Sequence, residues 1–221
     1  AYTAIFGNTD LWRAAFNSFY VAIVGCVLGL VGTCIAAYPM AYGNFYGKKL
    51  YEIIIMFTMW FNAGIVPLFL TIRQLGLYDS LWALILNSMI TAYNVVIIRS
   101  YFSSIPFSVI ESARIDGASH LRILFSIVIP LAKTGIATIP MFYAVARWNE
   151  YFKAGLYLLS PDKTTLQVLI RKFVVQGDIT DLIGFSNMMN KTELANVNYN
   201  SLKSAAIVVG VAPILLIYPF A

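Results

Sequence analysis

The stretch Ser18–Tyr42, SFYVAIVGCVLGLVGTCIAAYPMAY, decides the fold: it carries no charged side chain and closes on Gly43, Gly47 and the Lys48–Lys49 pair. A helix of about 20 mostly apolar residues crosses the hydrocarbon core of a bilayer, and the uncharged run from Ala14 to Gly47 is longer than that. Composition agrees, because 60% of the 221 residues are hydrophobic and 11% are charged, where a soluble domain carries about 25%. Mean hydropathy is +0.76. A water-soluble globule is thereby excluded. The net charge is +5, but a chain this apolar is a poor nucleic-acid binder, and the excess cations belong in loops beside an anionic membrane surface. Cys26 and Cys34 lie in the same run, roughly 12 Å apart along a helix axis and too far to bridge.

Marking charges outward from that stretch gives the remaining spans. With the first span at about 16–42, Glu52 and Arg73 bracket a second at 53–72, Asp79 and Arg99 a third at 81–98, and a fifth, 204–221, closes the chain. The uncharged residues between Lys133 and Arg147 are too few to cross. A fourth span is therefore expected over 134–157, with Arg147, Glu150 and Lys153 in its outer portion. The expected fold class is an all-α polytopic membrane bundle with about five spans present and six expected in the intact protein. Pro39, Pro67, Pro140 and Pro213 fall inside four of these spans, which implies helices packed against protein that re-satisfies the freed backbone groups. Gly25, Gly29 and Gly32 form a face of small residues that admits close helix approach. The opening Ala1-Tyr2-Thr3 and the apolar close at Pro219-Phe220-Ala221 lead to the expectation that a first helix and a cytoplasmic C-terminal tail are missing. Lys48, Lys49, Arg99, Arg114, Arg122 and Lys133 crowd two short segments, which orients that side, including 99–133, toward the cytoplasm. The segment 158–203, with Asn187, Asn190, Asn196, Asn198 and Asn200, then faces outward.

The loop 99–133 reads as two helices joined by a glycine turn. Ser104 is expected to cap the first, with Pro106 in its first turn and Gly117 just past its end. Ser119 is expected to cap the second, which runs apolar through Ile123, Leu124 and Ile127 to Pro130. Ile110, Ala113 and Gly117 fall at i, i+3 and i+7, a face that invites close approach by another protein. Glu111, Arg114 and Asp116 surround it. A helix pair lying on the membrane surface explains the same stripe.

These residues resemble a known family. Glu111-Ser112-Ala113, three residues, Gly117, nine residues, Ile127, one residue, then Ile129-Pro130 is similar to the EAA loop, E-A-A-x3-G-x9-I-x-L-P, of permease subunits of binding-protein-dependent ABC importers. Ser112 for Ala and Ile129 for Leu depart from the pattern. The stretches Asn17-Ser18, Ala36-Ala37-Tyr38-Pro39, Ser80-Leu81-Trp82-Ala83, Ser104-Ile105-Pro106, Ala113-Arg114-Ile115-Asp116-Gly117-Ala118 and Trp148-Asn149-Glu150-Tyr151 resemble the carbohydrate-uptake branch, the maltose and oligosaccharide permease type. That resemblance implies a multi-pass protein of the bacterial inner membrane that is not itself an enzyme. Its partners would be a second permease, two ATP-binding subunits that carry ATP and magnesium, and an extracytoplasmic solute-binding protein. Glu111, Ser112, Ala113, Asp116, Gly117, Ile127 and Pro130 would couple the permease to the ATPase. No cofactor is expected in this chain.

Polar side chains within spans are costly and therefore candidates for the substrate path. Tyr93 and Asn94 in the third span suit a polyhydroxyl ligand, although interhelical hydrogen bonding serves them equally well. Arg147-Trp148-Asn149-Glu150-Tyr151 offers aromatic faces for sugar CH groups together with donors and acceptors for hydroxyls, and Arg147 and Glu150, three apart, are placed to pair. An aromatic interface belt with a structural ion pair accounts for the same run. Tyr46-Gly47-Lys48-Lys49 lacks the upstream glycine and following Ser or Thr of a phosphate loop. The sole histidine, His120, sits in the 99–133 loop, so neither a catalytic residue nor a metal site is expected. A permease for an amino acid, a metal or a phosphonate, and a membrane scaffold with no transport path, remain open as other readings.

Overall fold

The computed structural model describes residues 9–176 and 199–217, and among them every regular element is a helix. Helix α1, Thr9–Tyr42, is long and apolar enough to cross a bilayer alone. Asp10 sits in its first turn, where a carboxylate favours the positive end of the helix dipole, and pairs with Arg13 at 3.8 Å.

The second expected span, 53–72, is not one helix. It is α2, Lys48–Trp60, and α3, Ile65–Gln74, bent by 116°. Asn62 Oδ1 accepts the Gly64 N–H at 3.0 Å, and Gly64 has φ +83°, a conformation that a side chain disfavours. Asn62-Ala63-Gly64 is thus a local turn that competes with the helix. The third stretch is likewise α4, Leu81–Asn87, and α5, Ala92–Ser103, interrupted at 88–91. There the Thr91 N–H is satisfied by the Tyr143 hydroxyl at 3.2 Å.

The 99–133 loop contains α6, Phe107–Ile115, and α7, His120–Leu131. Within α7 the turn Leu124–Val128 is wide, and the Ile129 N–H reaches back to the Leu124 carbonyl. It stands just before Pro130, whose ring has no N–H and crowds the carbonyl four residues back. A 92° bend separates α7 from α8, Lys133–Trp148. The helix expected over 134–157 therefore ends at Trp148 and resumes as α9, Phe152–Tyr157. Glu150, one residue before the cap position Tyr151, accepts the Lys153 N–H with its Oε1 at 3.1 Å and so satisfies a donor that the start of α9 leaves free. A 3-10 turn at Pro161–Lys163 precedes α10, Leu166–Arg171, which runs on as a wide turn over Lys172–Gln176, and α11 is Tyr199–Ile217. The expected outer segment 158–203 lies in part, and 218–221 wholly, outside the described residues.

Two compact units emerge. One comprises Gly25–Leu70 and Ser88–Tyr143. Its core contains Ile98, Phe102, Ile110, Ile123, Val128 and Ile139, all fully buried. Close approach depends on glycines: a Cβ on Gly29 would meet the Met89 carbonyl at 3.0 Å, one on Gly32 would meet Ile90 at 3.1 Å, and one on Gly135 would fall inside the Tyr101 ring.

The other unit comprises Ala1–Val24, Thr71–Asn87 and Ala144–Ala221. Its core gathers Leu11, Trp148, Leu166, Phe173, Ala205 and Ala206. Asn17 Nδ2 donates to the carbonyls of Asp162 (2.9 Å) and Thr164 (3.1 Å), and Ser18 Oγ accepts the Leu166 N–H at 2.8 Å. These two polar residues of α1 thus tie down the backbone that leads into α10. Asp79, in the loop between α3 and α4, forms a second tie. Its carboxylate accepts the N–H groups of Leu159 and Ser160, each at 2.9 Å, the Ser160 hydroxyl at 2.5 Å and the Lys163 ammonium at 3.0 Å. The Asp79 N–H donates to the Tyr157 carbonyl at 2.8 Å. The Ser160 hydroxyl and N–H, then the Leu159 N–H and Lys163, hold the Asp79 carboxyl well below the usual carboxylate range.

Candidate functional site

Helix α6 follows Pro106 at its cap position and ends in a Schellman motif: the Gly117 N–H donates to the Arg114 carbonyl and the Ala118 N–H to the Ala113 carbonyl, both at 3.0 Å. Gly117 has φ +78°, the left-handed conformation this motif requires of its terminal residue. Ser119 Oγ then accepts the Arg122 N–H at 3.4 Å and opens α7. Ser104, expected to cap α6, instead closes α5, its hydroxyl donating to the Tyr101 carbonyl at 2.7 Å. It sits too early to cap, because Pro106 occupies the residue before α6.

Two of the three residues of the face expected to invite a partner are turned inward, while Gly117 stays exposed. Ile110 and Ala113 are buried in the unit's own core, because two adjacent turns of α6 pack there. What α6 and α7 present outward is Glu111, Ser112, Asp116, Gly117 and Arg122, with Ile115 81% exposed and Leu121 63% exposed across the glycine turn. Ile127 is half-buried and Pro130 exposed. Two large exposed aliphatic side chains rimmed by charge make a surface suited to a protein partner. Sequence reasoning missed them, though the signal was present: Ile115 stands two residues past Ala113, hence on the opposite side of the helix.

The loop is anchored to the C-terminal end of α1. Arg114 Nη2 donates to the Tyr42 carbonyl at 3.3 Å, one of the carbonyls a helix end leaves free. The Tyr42 hydroxyl in turn donates to the Phe102 carbonyl. Tyr38 Oη and His120 Nδ1 are 3.3 Å apart, with their rings edge to face. Contacts from both α6 and α7 therefore reach the C-terminal part of α1.

In the same unit Tyr93 is exposed and Asn94 buried. A polar chain unforeseen from sequence runs beside them: the Thr91 N–H donates to Tyr143 Oη (3.2 Å), Tyr143 to Thr33 Oγ1 (2.7 Å), and Thr33 to the Gly29 carbonyl (2.6 Å). Thr33 and Tyr143 sit against the Gly29 face, and their hydroxyls satisfy one another there.

Arg147, Trp148, Asn149, Glu150 and Tyr151 belong to the other unit. Arg147 does not pair with Glu150. It is buried, and its Nη1 donates to the carbonyls of Leu84 (3.2 Å) and Ile85 (3.3 Å) near the C-terminus of α4, a site that favours a cation. Glu150 pairs instead with Lys153 at 3.5 Å. Trp148 is 5% exposed, packs on Phe19 with ring centroids 4.9 Å apart, and donates its indole N–H to the Gly210 carbonyl at 2.9 Å. It therefore serves the core and presents no open ring. Asn149 lies just past the end of α8 and is exposed. The accessible ring is Tyr151, over which the Arg171 guanidinium lies 4.2 Å from the centroid. No cluster of metal-binding side chains occurs among the described residues.

Broken apolar helices and a helix–glycine–helix loop anchored to a membrane helix define the class, a membrane-embedded permease subunit. Residues 25–221 match the family described as binding-protein-dependent transport system inner membrane component. The chain belongs to this family; it is a membrane component of an ABC importer and not itself an enzyme. It is 38% identical over 225 residues to the polygalacturonan/rhamnogalacturonan transport system permease protein YtcP of Bacillus subtilis (strain 168), covering all of this chain and 76% of that protein. To protein LplC of the same organism it is 36% identical over 220 residues, covering all of this chain and 73% of that protein. The crystal structure of a bacterial ABC transporter involved in the import of the acidic polysaccharide alginate matches with a TM-score of 0.90 and 33% identity, over 99% of this chain and 76% of that chain.

Proposed function

We propose that this chain is one of two unlike permease subunits of an ATP-driven importer and carries a sugar or oligosaccharide released by an extracytoplasmic solute-binding protein. Of two cytoplasmic ATP-binding subunits, one docks on the Glu111 to Pro130 loop of this chain, and ATP and magnesium sit on those subunits, while this chain holds no cofactor. The observation that carries the reading is the loop's geometry: Ile115 and Leu121 stand exposed on either side of Gly117, while Arg114 and His120 bind its helices to α1. Closure of the ATPases on ATP would move α6 and α7 as a body and switch the bundle between outward and inward openings. Support for a carbohydrate comes from the relatives, one named for polygalacturonan and another for alginate. Of the residues proposed for the path, Tyr93 in one unit and Tyr151 in the other are exposed aromatics, while Asn94 and Arg147 are buried.

The test is reconstitution of the importer in proteoliposomes with its binding protein. ATP hydrolysis should rise when sugar-loaded binding protein is added. Deleting Glu111 to Gly117 should abolish co-purification of the ATP-binding subunits. An unchanged assembly after that deletion overturns the coupling role, and uptake of an amino acid or phosphonate in place of sugar overturns the substrate class.

A further inference from the structure

Arg171 closes α10, and Tyr151 stands at the N-terminal edge of α9. Both elements are fixed in the core of their unit. Leu166 and Phe173, on either side of Arg171 in sequence, are buried beside Trp148, and the Leu166 N–H is held by Ser18. Side chains carried on anchored backbone lose little freedom when a ligand arrives.

The two side chains meet in a specific way. The Arg171 guanidinium carbon lies 4.2 Å from the Tyr151 ring centroid, within cation–π range. A guanidinium laid on a ring keeps its N–H edge free, and that edge matches a carboxylate with two parallel hydrogen bonds. Among the described residues Arg171 makes no ion pair. The carboxylate next to Tyr151 in sequence, Glu150, is already held by the Lys153 ammonium and N–H. Arg171 is exposed and Tyr151 is 41% exposed. Among the described residues the pair thus offers water an aromatic surface and an oriented cation that no carboxylate matches.

We propose that Arg171, seated on Tyr151, determines specificity for acidic sugars: the guanidinium edge receives the carboxylate of a uronate unit, and the phenol ring receives the CH face of the pyranose. This rests on the sugar-import reading above and narrows it to uronate oligosaccharides. Arg171 is suited to the role where lysine is not, because an ammonium has no planar fork and stacks poorly.

The experiment uses the assembled importer in proteoliposomes with its binding protein and internal ATP. It compares initial uptake of tetragalacturonate with that of its carboxyl-reduced, neutral counterpart, each at concentrations that saturate the binding protein. Wild type should favour the uronate. Arg171→Gln should lower uronate uptake about tenfold and leave neutral uptake and binding-protein-stimulated ATP hydrolysis unchanged. Arg171→Lys should restore part of the uronate rate. Equal wild-type uptake of the two sugars overturns the inference and leaves sugar import standing. So does an Arg171→Gln variant whose preference is unaltered, or one that loses both sugars and assembly equally. Uptake of neither sugar by wild type overturns the inference, and carriage of an amino acid or phosphonate in their place overturns the sugar-import reading with it.

Discussion

Single residues in this chain do most of their work by satisfying backbone groups that broken helices leave free. Tyr143 is such a residue, giving to Thr33 and receiving from the Thr91 N–H at the interruption before α5. Tyr143→Phe should destabilise the protein by about 1 kcal/mol, read as a lower midpoint in a thermal unfolding series in detergent. An unchanged midpoint removes the chain of hydroxyls as a support. Asp79 acts the same way toward residues 157–163. Because its folded-state pKa lies below the unfolded value, the stability it contributes is present above the unfolded carboxylate pKa, about 4, and is lost as pH falls through the folded value. The difference in melting temperature between wild type and Asp79→Asn should therefore be full at pH 6 to 8 and shrink on acidification below about pH 4. A gap that instead widens in acid contradicts the assignment. Neither residue looked special in the sequence. Asp79 read there as the border of a span, because the partners of its carboxylate lie about eighty positions away.

At the scale of elements, the spans were legible as apolar runs and their interruptions were not. Hydropathy over 53–72 is continuous across Asn62-Ala63-Gly64, yet a three-residue turn outweighs it, because an Asn side chain and a glycine at φ +83° give the backbone another way to be satisfied. Gly64→Ala should cost about 1 kcal/mol through strain alone, since nothing lies within 4 Å of a Cβ there. Gly135 is the opposite case. Its conformation is ordinary, but the Tyr101 ring occupies the place of its side chain. Gly135→Val should destabilise by about 1–3 kcal/mol, and pairing it with Tyr101→Ala should recover part of the loss; a double mutant no better than the single one argues against this packing. The loop 99–133 was read correctly as two helices about a glycine, since caps and turns are local chemistry. Which of its faces is buried was read wrongly, because a stripe of Ile110 and Ala113 fits a neighbouring helix of the same chain as well as it fits a foreign protein.

For the whole molecule the consequential surface is the one that Ile115 and Leu121 share. Ile115→Asp should fold, since the residue is 81% exposed, and should reduce the ATP-binding subunits recovered with the permease at least tenfold, the scale of losing a buried aliphatic anchor at an interface. Recovery equal to wild type in pull-down from membranes counts against docking at this surface.

The sequence by itself determined that this protein lives in a membrane and that 99–133 holds two helices about a glycine turn. These features are legible because hydropathy, charge and turn chemistry act over a few residues. Only the tertiary structure decided that 53–72 and 134–157 are broken, that Trp148 and Arg147 are core supports, and that Arg171 lies on Tyr151. Those outcomes depend on which distant carbonyl or ring a side chain meets, and Arg147 finds Leu84, Trp148 finds Gly210 and Asp79 finds Ser160 only once the helices have packed.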